Sequence, residues 1–428
     1  MTSIPAAPRR FAALRDRHSR PYLFSAGLSM MGDNIEHVIT YWVLWQRFHS
    51  PALVGFEVVS HWLPFLVLSV PFGQLAERYD CRRLIQIAQG IFMLVSVCWG
   101  LLFLTGSLQI WEACVLLVLH GVAGSLWAPA EQLLLHDFAE PADLPGAVRM
   151  NATFRSLGIL AGPVVGSVLL LGLGSTWGIF ANVAFYLPMT LLMLRTPFTG
   201  HTRSGYVHRA RVTLLDTVRV LRDVGGDRVL LGMIVLAGLT ALCIGGALQV
   251  AIPSFADALG AGDAGFAYGL LLFANGAGGV LGGFLLEATG ILRPSTRAVV
   301  GSTIVFALTT LAVAVTGNYL VAVLALLVGG VANMAAMSIG QSVVQLRAPM
   351  EQRGRVVGAY NMFASGLRTG NGVTLAILGA AFGVGTAVAI GAAMLAGGTV
   401  VVAVLIRLRG AADRRADGGA DRRVGASR

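Results

Sequence analysis

The 428-residue chain is 56% hydrophobic and only 12% charged, with a formal net charge of +10 and a mean hydropathy of +0.74. Soluble domains carry roughly twice that charge fraction, so a soluble enzyme is excluded. A nucleic-acid-binding protein is excluded by placement: all 31 basic residues are Arg, and they gather in alternate connections between apolar runs, as the positive-inside rule requires of a membrane protein.

Apolar runs of about 20 residues, each enough to cross a ~30 Å hydrocarbon core, follow one another along the chain. They lack period-2 alternation, which makes them helices rather than barrel strands. After a cytoplasmic leader over 1–20, the predicted spans are 22–46, 53–76, 84–105, 111–136, 149–172 and 176–195. A connection over 196–227 follows, then spans at 229–253, 264–288, 298–316, 319–346, 355–381 and 386–406. The expected organisation is an all-α polytopic protein of twelve transmembrane helices, with six-helix bundles over 21–195 and 228–407 and a disordered cytoplasmic tail over 408–428.

Arg9 to Arg20, Arg78 to Arg83, Arg195 to Arg228, Arg293 and Arg297, Arg347 to Arg355 and the tail from Arg407 mark one side. The connections at 105–110, 173–176, 317–319 and 382–385 hold no Arg. Both termini are therefore expected in the cytoplasm and the helix count is even. The leader feeds a helix too long and too polar for a cleaved secretory signal. Cys81 is expected in a cytoplasmic loop, while Cys98, Cys114 and Cys243 fall in spans as small apolar fillers. Within the linker, Leu214, Val218 and Leu221 face away from Asp216, Arg219 and Asp223, the pattern of a helix lying on the membrane surface.

The chain repeats itself. Gly55-Phe56, Gly73, Glu77 and Arg83 recur as Gly265-Phe266, Gly283, Glu287 and Arg293 at an offset of 210 residues, as do Asn151 and Gly162 in Asn361 and Gly372. Gly121-Val122-Ala123 and Gln132 recur one residue earlier, at Gly330-Val331-Ala332 and Gln341. A register held this closely across five helices means a duplicated six-helix unit. Parallel repeats of this kind are the architecture of major facilitator transporters.

The costly residues lie in the spans. On a helical wheel of the first span, Ala26, Ser29, Asp33, Glu36, His37 and Thr40 share one face and Phe24, Leu28, Met31, Ile35, Val38 and Trp42 the other. Carboxylates at that depth need a partner, water or a proton. Desolvation and mutual repulsion favour the protonated acid, so Asp33, Glu36 and His37 are the expected proton-coupling residues. In the eleventh span Asn361, Ser365, Arg368, Asn371 and Gly372 share a face. Arg368 is too deep to snorkel to water and is expected to neutralise the first-span carboxylates or hold an anionic substrate group. His120, Asn333 and Tyr41 complete the expected substrate cavity, with Glu131 secondary. Glu57 and His61 are expected towards the outer side.

Two motifs carry a family resemblance. Gly73-Gln-Leu-Ala-Glu77-Arg78-Tyr-Asp80-Cys-Arg82-Arg83 resembles the signature G-x-x-x-D-R/K-x-G-x-R/K-R/K of the major facilitator superfamily, with Glu77 for the usual Asp and Asp80 for the usual Gly. A carboxylate there can pair with an Arg and the positive N-terminus of a facing helix, which implies a cytoplasmic gate at Gly73, Glu77, Arg78, Arg82 and Arg83. Gly158-Ile-Leu-Ala-Gly162-Pro163-Val-Val-Gly166 is similar to the superfamily's antiporter motif, whose glycines allow a close helix approach. Gly32-Asp33, Trp127-Ala-Pro129-Ala and Leu144-Pro-Gly-Ala147 resemble the branch of the enterobactin exporter and the third drug:proton antiporter family. The resemblance covers residues 20–407. It implies a monomeric, lipid-embedded exporter of the bacterial inner membrane, with no cofactor and the proton motive force as driver. The implied cargo is an amphiphilic small molecule such as a drug or siderophore. A second reading is a divalent-metal exporter, because Gly32-Asp33-x-x-x-His37 is similar to the first-helix site of ferroportins. A lysophospholipid flippase shares the fold. A non-transporting sensor has no use for the gate and the buried ionisable groups, and no catalytic constellation supports an enzyme.

Overall fold

The computed structural model describes residues 9–49, 51–202, 216–245, 247–260 and 266–425, and the regular elements among them are helices. The first six spans are Ser19–Phe48, Pro51–Arg78, Cys81–Thr105, Ile110–Phe138 and the two parts of Leu144–Arg195, which breaks at Gly174. The second six are Arg228–Cys243 continued by Ala247–Ala258, then Phe266–Thr289, Thr296–Val315 and Tyr319–Arg347. They end with Arg353–Asn361 continued into Arg368–Phe382, and the helix from Val384. This is the twelve-helix, two-bundle arrangement of the duplicated sequence.

Local chemistry sets the ends. Asp80, Asp227, Ser295 and Asn318 each accept a hydrogen bond from a backbone N–H in the first turn of the helix they precede, which satisfies donors a helix start leaves open. Gly174, at φ 77°, supplies the left-handed turn between the fifth and sixth spans. Among the described residues, seven helices are long and apolar enough to cross a membrane by themselves, or eight if the bent pair counts as one span. The first span carries Asp33, Asn34, Glu36 and His37, and the seventh and eleventh are interrupted, by a break at Ile244–Gly245 and a π-turn at Met362–Gly366. Such polar or broken helices in a transporter line a cavity rather than lipid.

Each half has its own core. Tyr22, Phe92, Leu134, Met150 and Tyr186 are buried in the first, and Ile234, Val299, Ile339 and Tyr360 in the second. The halves meet where side chains are missing. Gly354 on the eleventh span faces Gly73 on the second, and Gly358 packs so close that a Cβ there would lie 2.9 Å from Val70 Cα.

Three expectations change. The linker helix Asp216–Gly226 turns Val220 and Val224 into protein, against the cluster of Val70, Leu230 and Val356. It is bent by 119° from the seventh span, so its apolar side covers the seam between the halves instead of lipid. The last helix runs on to Gly425, across the stretch expected to be disordered. Ala and Arg are good helix formers, and extending an existing helix needs no new nucleus. Cys81 is not in a loop: it is the first residue of the third span and fully buried. Residues 1–8 of the leader, 203–215 of the linker and Gly265 of the repeat lie outside the described residues.

Gly317 is exposed in an Arg-free connection, and Arg83 is exposed on the arginine-rich side. In a cysteine-free background, Gly317→Cys is expected to react with an impermeant maleimide added to intact cells, and Arg83→Cys to react only after permeabilisation. The opposite pattern would reverse the orientation.

Candidate functional site

The site is built on the first span, and the fifth span fixes its position. Gly158, Gly162 and Gly166 lie against Gly27, Met31, Asn34 and Ile35. A Cβ at Gly162 would meet Asn34 Cβ at 2.5 Å, and one at Gly158 would meet Met31 N at 2.8 Å. Pressed against this glycine stripe, the first span turns its acidic face towards the second, third and fourth spans.

His120 of the fourth span reaches into that face. Its Nε2 lies 2.7 Å from Asp33 Oδ1 and its Nδ1 2.8 Å from Glu36 Oε1. Ser96 of the third span donates to Glu36 Oε2 at 2.5 Å, and Asn182 of the sixth donates to Ser96 Oγ at 3.3 Å. Asp33, Glu36 and His120 are 9%, 2% and 3% exposed, so water does little to satisfy them. A neutral imidazole has one N–H to give. Both contacts to His120 are hydrogen bonds when the ring and the two acids share two protons, either as an imidazolium between two carboxylates or as a neutral imidazole beside one protonated acid. Counted as −2 and +1, the cluster keeps one negative charge in excess.

A histidine group extends the site towards the second half. His37 Nδ1 lies 3.9 Å from Asp33 Oδ2. The His37 ring is 4.9 Å from His61, 5.0 Å from His120 and 5.2 Å from Tyr41, centroid to centroid. His61 in turn is 4.5 Å from Trp62, and the Arg368 guanidinium lies over the Trp62 ring at 4.6 Å. His61 thus faces the acidic cluster. Glu57, one turn away, is buried with Oε1 unpartnered.

The remaining candidates separate into cavity, seam and gate. Arg368 makes no ion pair among the described residues, its Nε has no hydrogen-bond partner, and it does not reach Asp33 or Glu36. Trp62 and the histidines intervene. With Asn333, whose Oδ1 is also unpartnered, and with Thr240 and Tyr360, Arg368 lines a cavity within the second half. Asn361 lies at the seam, accepting from Gln132, which in turn accepts from Gln345. Asn371 donates to Leu242 O at 3.0 Å, beside the break in the seventh span. The Asn361 oxygen and the Asn371 amide N–H thus hold helices together, while Asn361 Nδ2 is buried without a partner. Glu131 pairs with Arg155 at 2.8 Å and accepts from Asn151.

At the arginine-rich ends, Glu77 accepts from the Arg355 backbone N–H at 2.8 Å and from its Nε at 2.9 Å. The acceptor therefore meets both an Arg and the first turn of the eleventh span. Arg78 is exposed and stacks over Tyr79, Arg82 is held by Asp80 and Thr196 O, and Arg83 donates to Gln86. These three arginines do not cross to the other half, because Asp80, where the signature has Gly, caps the third span and retains Arg82. Sequence reasoning missed the counterpart pair: Glu287 binds Arg149 at 2.7 Å and accepts from the Phe11 N–H at 2.8 Å. Its signal was the repeat, since Glu287 is the image of Glu77.

The family model of the Major Facilitator Superfamily matches residues 22–369. The chain belongs to that superfamily of multi-pass membrane transporters and is not an enzyme. Among curated proteins it is 24% identical over 179 residues to the Staphyloferrin A transporter of Staphylococcus aureus, covering 41% of this chain and 45% of that one. It is 23% identical over 226 residues to the uncharacterized MFS-type transporter YfiS of Bacillus subtilis, covering 52% and 51%. These matches span about half the length of each relative. Two solved structures share the fold. The human organic anion transporter MFSD10 (TETRAN) has a TM-score of 0.71 at 14% identity, over 90% of this chain and 99% of that one. The Escherichia coli fucose:proton symporter FucP has a TM-score of 0.67 at 15% identity, over 90% and 98%.

Removing one partner of a buried ion pair costs about 3–5 kcal/mol, which falls on the state in which the pair is made. Glu77→Gln is expected to shift the population by ~100-fold towards the state open on the arginine-rich side. An Ala336→Cys reporter, buried in the second-half cavity, should then become reactive from that side. Unchanged reactivity would remove Glu77 from the gate.

Proposed function

We propose that the chain is a monomeric secondary exporter of the bacterial inner membrane, with both termini cytoplasmic. It exchanges protons for an amphiphilic small molecule, siderophore-like organic anions being the favoured class. The observation that carries this reading is His120 clamped between Asp33 and Glu36, midway along a 30-residue helix. A buried imidazolium between two acids holds one proton that can leave without unpairing both carboxylates. Such intramembrane ionisable groups commonly serve proton relays.

The anion preference comes from Arg368. Its guanidinium is stacked on Trp62 with no carboxylate opposite it among the described residues, which leaves a fork suited to a planar anion. The names of a siderophore transporter and an organic anion transporter among the similar proteins agree with that class. Export is supported by the antiporter-like motif, whose glycines seat the acidic span.

In this arrangement Glu77–Arg355 and Arg149–Glu287 tie the halves together at the arginine-rich end. Alternating access breaks both pairs and opens that side. Substrate entering against Arg368 in the second-half cavity and protons leaving the His120 cluster are separated by Trp62 and His61, which couple them electrostatically.

The test is a substrate-dependent quench of a pH gradient in proteoliposomes, screened over dyes, siderophores and lysolipids. Asp33→Asn and Glu36→Gln are each expected to cut uphill transport by at least ~100-fold, equivalent to losing about 3 kcal/mol of coupling, while downhill binding stays measurable. His37→Ala should be mild, since it is outside the clamp. Full uphill transport in both acid variants would overturn proton antiport.

A further inference from the structure

We propose that Asp33, His37, His61 and His120 form a binding site for a divalent transition-metal ion. The inference deepens the transport reading and rests on it in taking this cluster as the exchange centre, independently of any organic substrate.

Each of the four residues offers one ligand atom, and these atoms all lie within 4.8 Å of one another. Ligands at the corners of a tetrahedron, ~2.0–2.2 Å from an ion, stand ~3.3–3.6 Å apart. The group therefore closes on an ion with side-chain movements of the order of 1 Å, within reach of small imidazole rotations. The residues come from the first, second and fourth spans, so an ion would bind these three helices of the first half together.

The donor set defines the ion. Three imidazole nitrogens and one carboxylate oxygen suit zinc, cobalt, iron(II), nickel or copper. Calcium and magnesium require a shell dominated by oxygen.

Two further observations point to a ligand. A metal-bound His usually gives its second ring N–H to a carboxylate, which orients the ring and raises its basicity. His120 has that arrangement: Nδ1 is held by Glu36 at 2.8 Å, Glu36 by Ser96, and Ser96 by Asn182. Nε2 and Asp33 are left facing the cluster. Secondly, His61 Nδ1 is buried without a hydrogen-bond partner, which costs free energy unless something binds there.

Ring nitrogens bind a metal only when unprotonated, so an ion at Nε2 of His120 displaces any proton carried there, while Nδ1 keeps its contact with Glu36.

The test uses the full chain in nanodiscs, purified on an affinity tag without histidine and stripped with chelator. Zinc(II) is titrated calorimetrically in two buffers of different ionisation enthalpy, which counts released protons, and cobalt(II) absorption reports the coordination. A single bound ion, proton release on binding and the intense visible bands of four-coordinate cobalt are expected. His61→Gln and His120→Gln should each weaken binding at least ~10-fold, and Glu36→Gln by ~10–100-fold through His120. The site is overturned if a chain shown to be folded by its thermal transition binds no stoichiometric zinc, or if both His variants bind as tightly as the parent. Proton-coupled transport of an organic substrate without zinc binding would overturn the metal site alone. Zinc binding with proton release, but no proton movement in liposomes, would support the site and overturn antiport.

Discussion

A carboxylate carried into a bilayer has to be answered by a donor at hydrogen-bond distance, because no water stands ready to do so. The first span carries two, Asp33 and Glu36, and one imidazole answers both. Much of the first half follows from that requirement. The fourth span must bring His120 within 3 Å of the first, the third must bring Ser96 and the sixth Asn182. The fifth must press from behind, with glycines where any larger side chain would push the acids out of reach.

The same rule organises the seam. Glu77 with Arg355 joins the second and eleventh spans, and Glu287 with Arg149 joins the eighth and fifth. The two acids are images of each other in the internal repeat, 210 positions apart, while their arginines stand 206 apart, so the acids of the closed end are pseudo-symmetric. Buried pairs add modest net stability when made and cost much when one partner is lost. That asymmetry suits a switch, because each conformation must provide new partners or water for the charges it separates. The linker helix adds an apolar seal, placing Val220 and Val224 on the second-half core beside Val70.

The span layout was legible in the sequence because it follows from local quantities: runs of apolar residues and arginine placement. The duplication, and with it the superfamily, could be read from the fixed offset of the repeat. The acidic face of the first span was legible from its period. What escaped was choice of partner. Arg368 was the obvious counter-charge by depth, yet Trp62 takes its guanidinium and His120 the acids. Asn361 and Asn371 share a helical face with Arg368, but the seam and the broken seventh span claim their amides. For His61 hydropathy gives depth along the span and not the direction the side chain faces across the bundle. The contacts that Arg368, His120, Asn361 and Asn371 make join residues 84 to 306 positions apart, and one sequence carries no local record of them.

The central claim is that an imidazolium at His120 bridges Asp33 and Glu36. It is tested most directly by nitrogen-15 NMR of the His120 ring in the metal-free chain, in bilayers at neutral pH, with the signal assigned by its loss in His120→Gln. The account predicts two protonated ring nitrogens, both coupled to hydrogen-bonded protons, and their conversion to a single-proton tautomer in Asp33→Asn. A neutral ring with one bare nitrogen in the parent protein would contradict it.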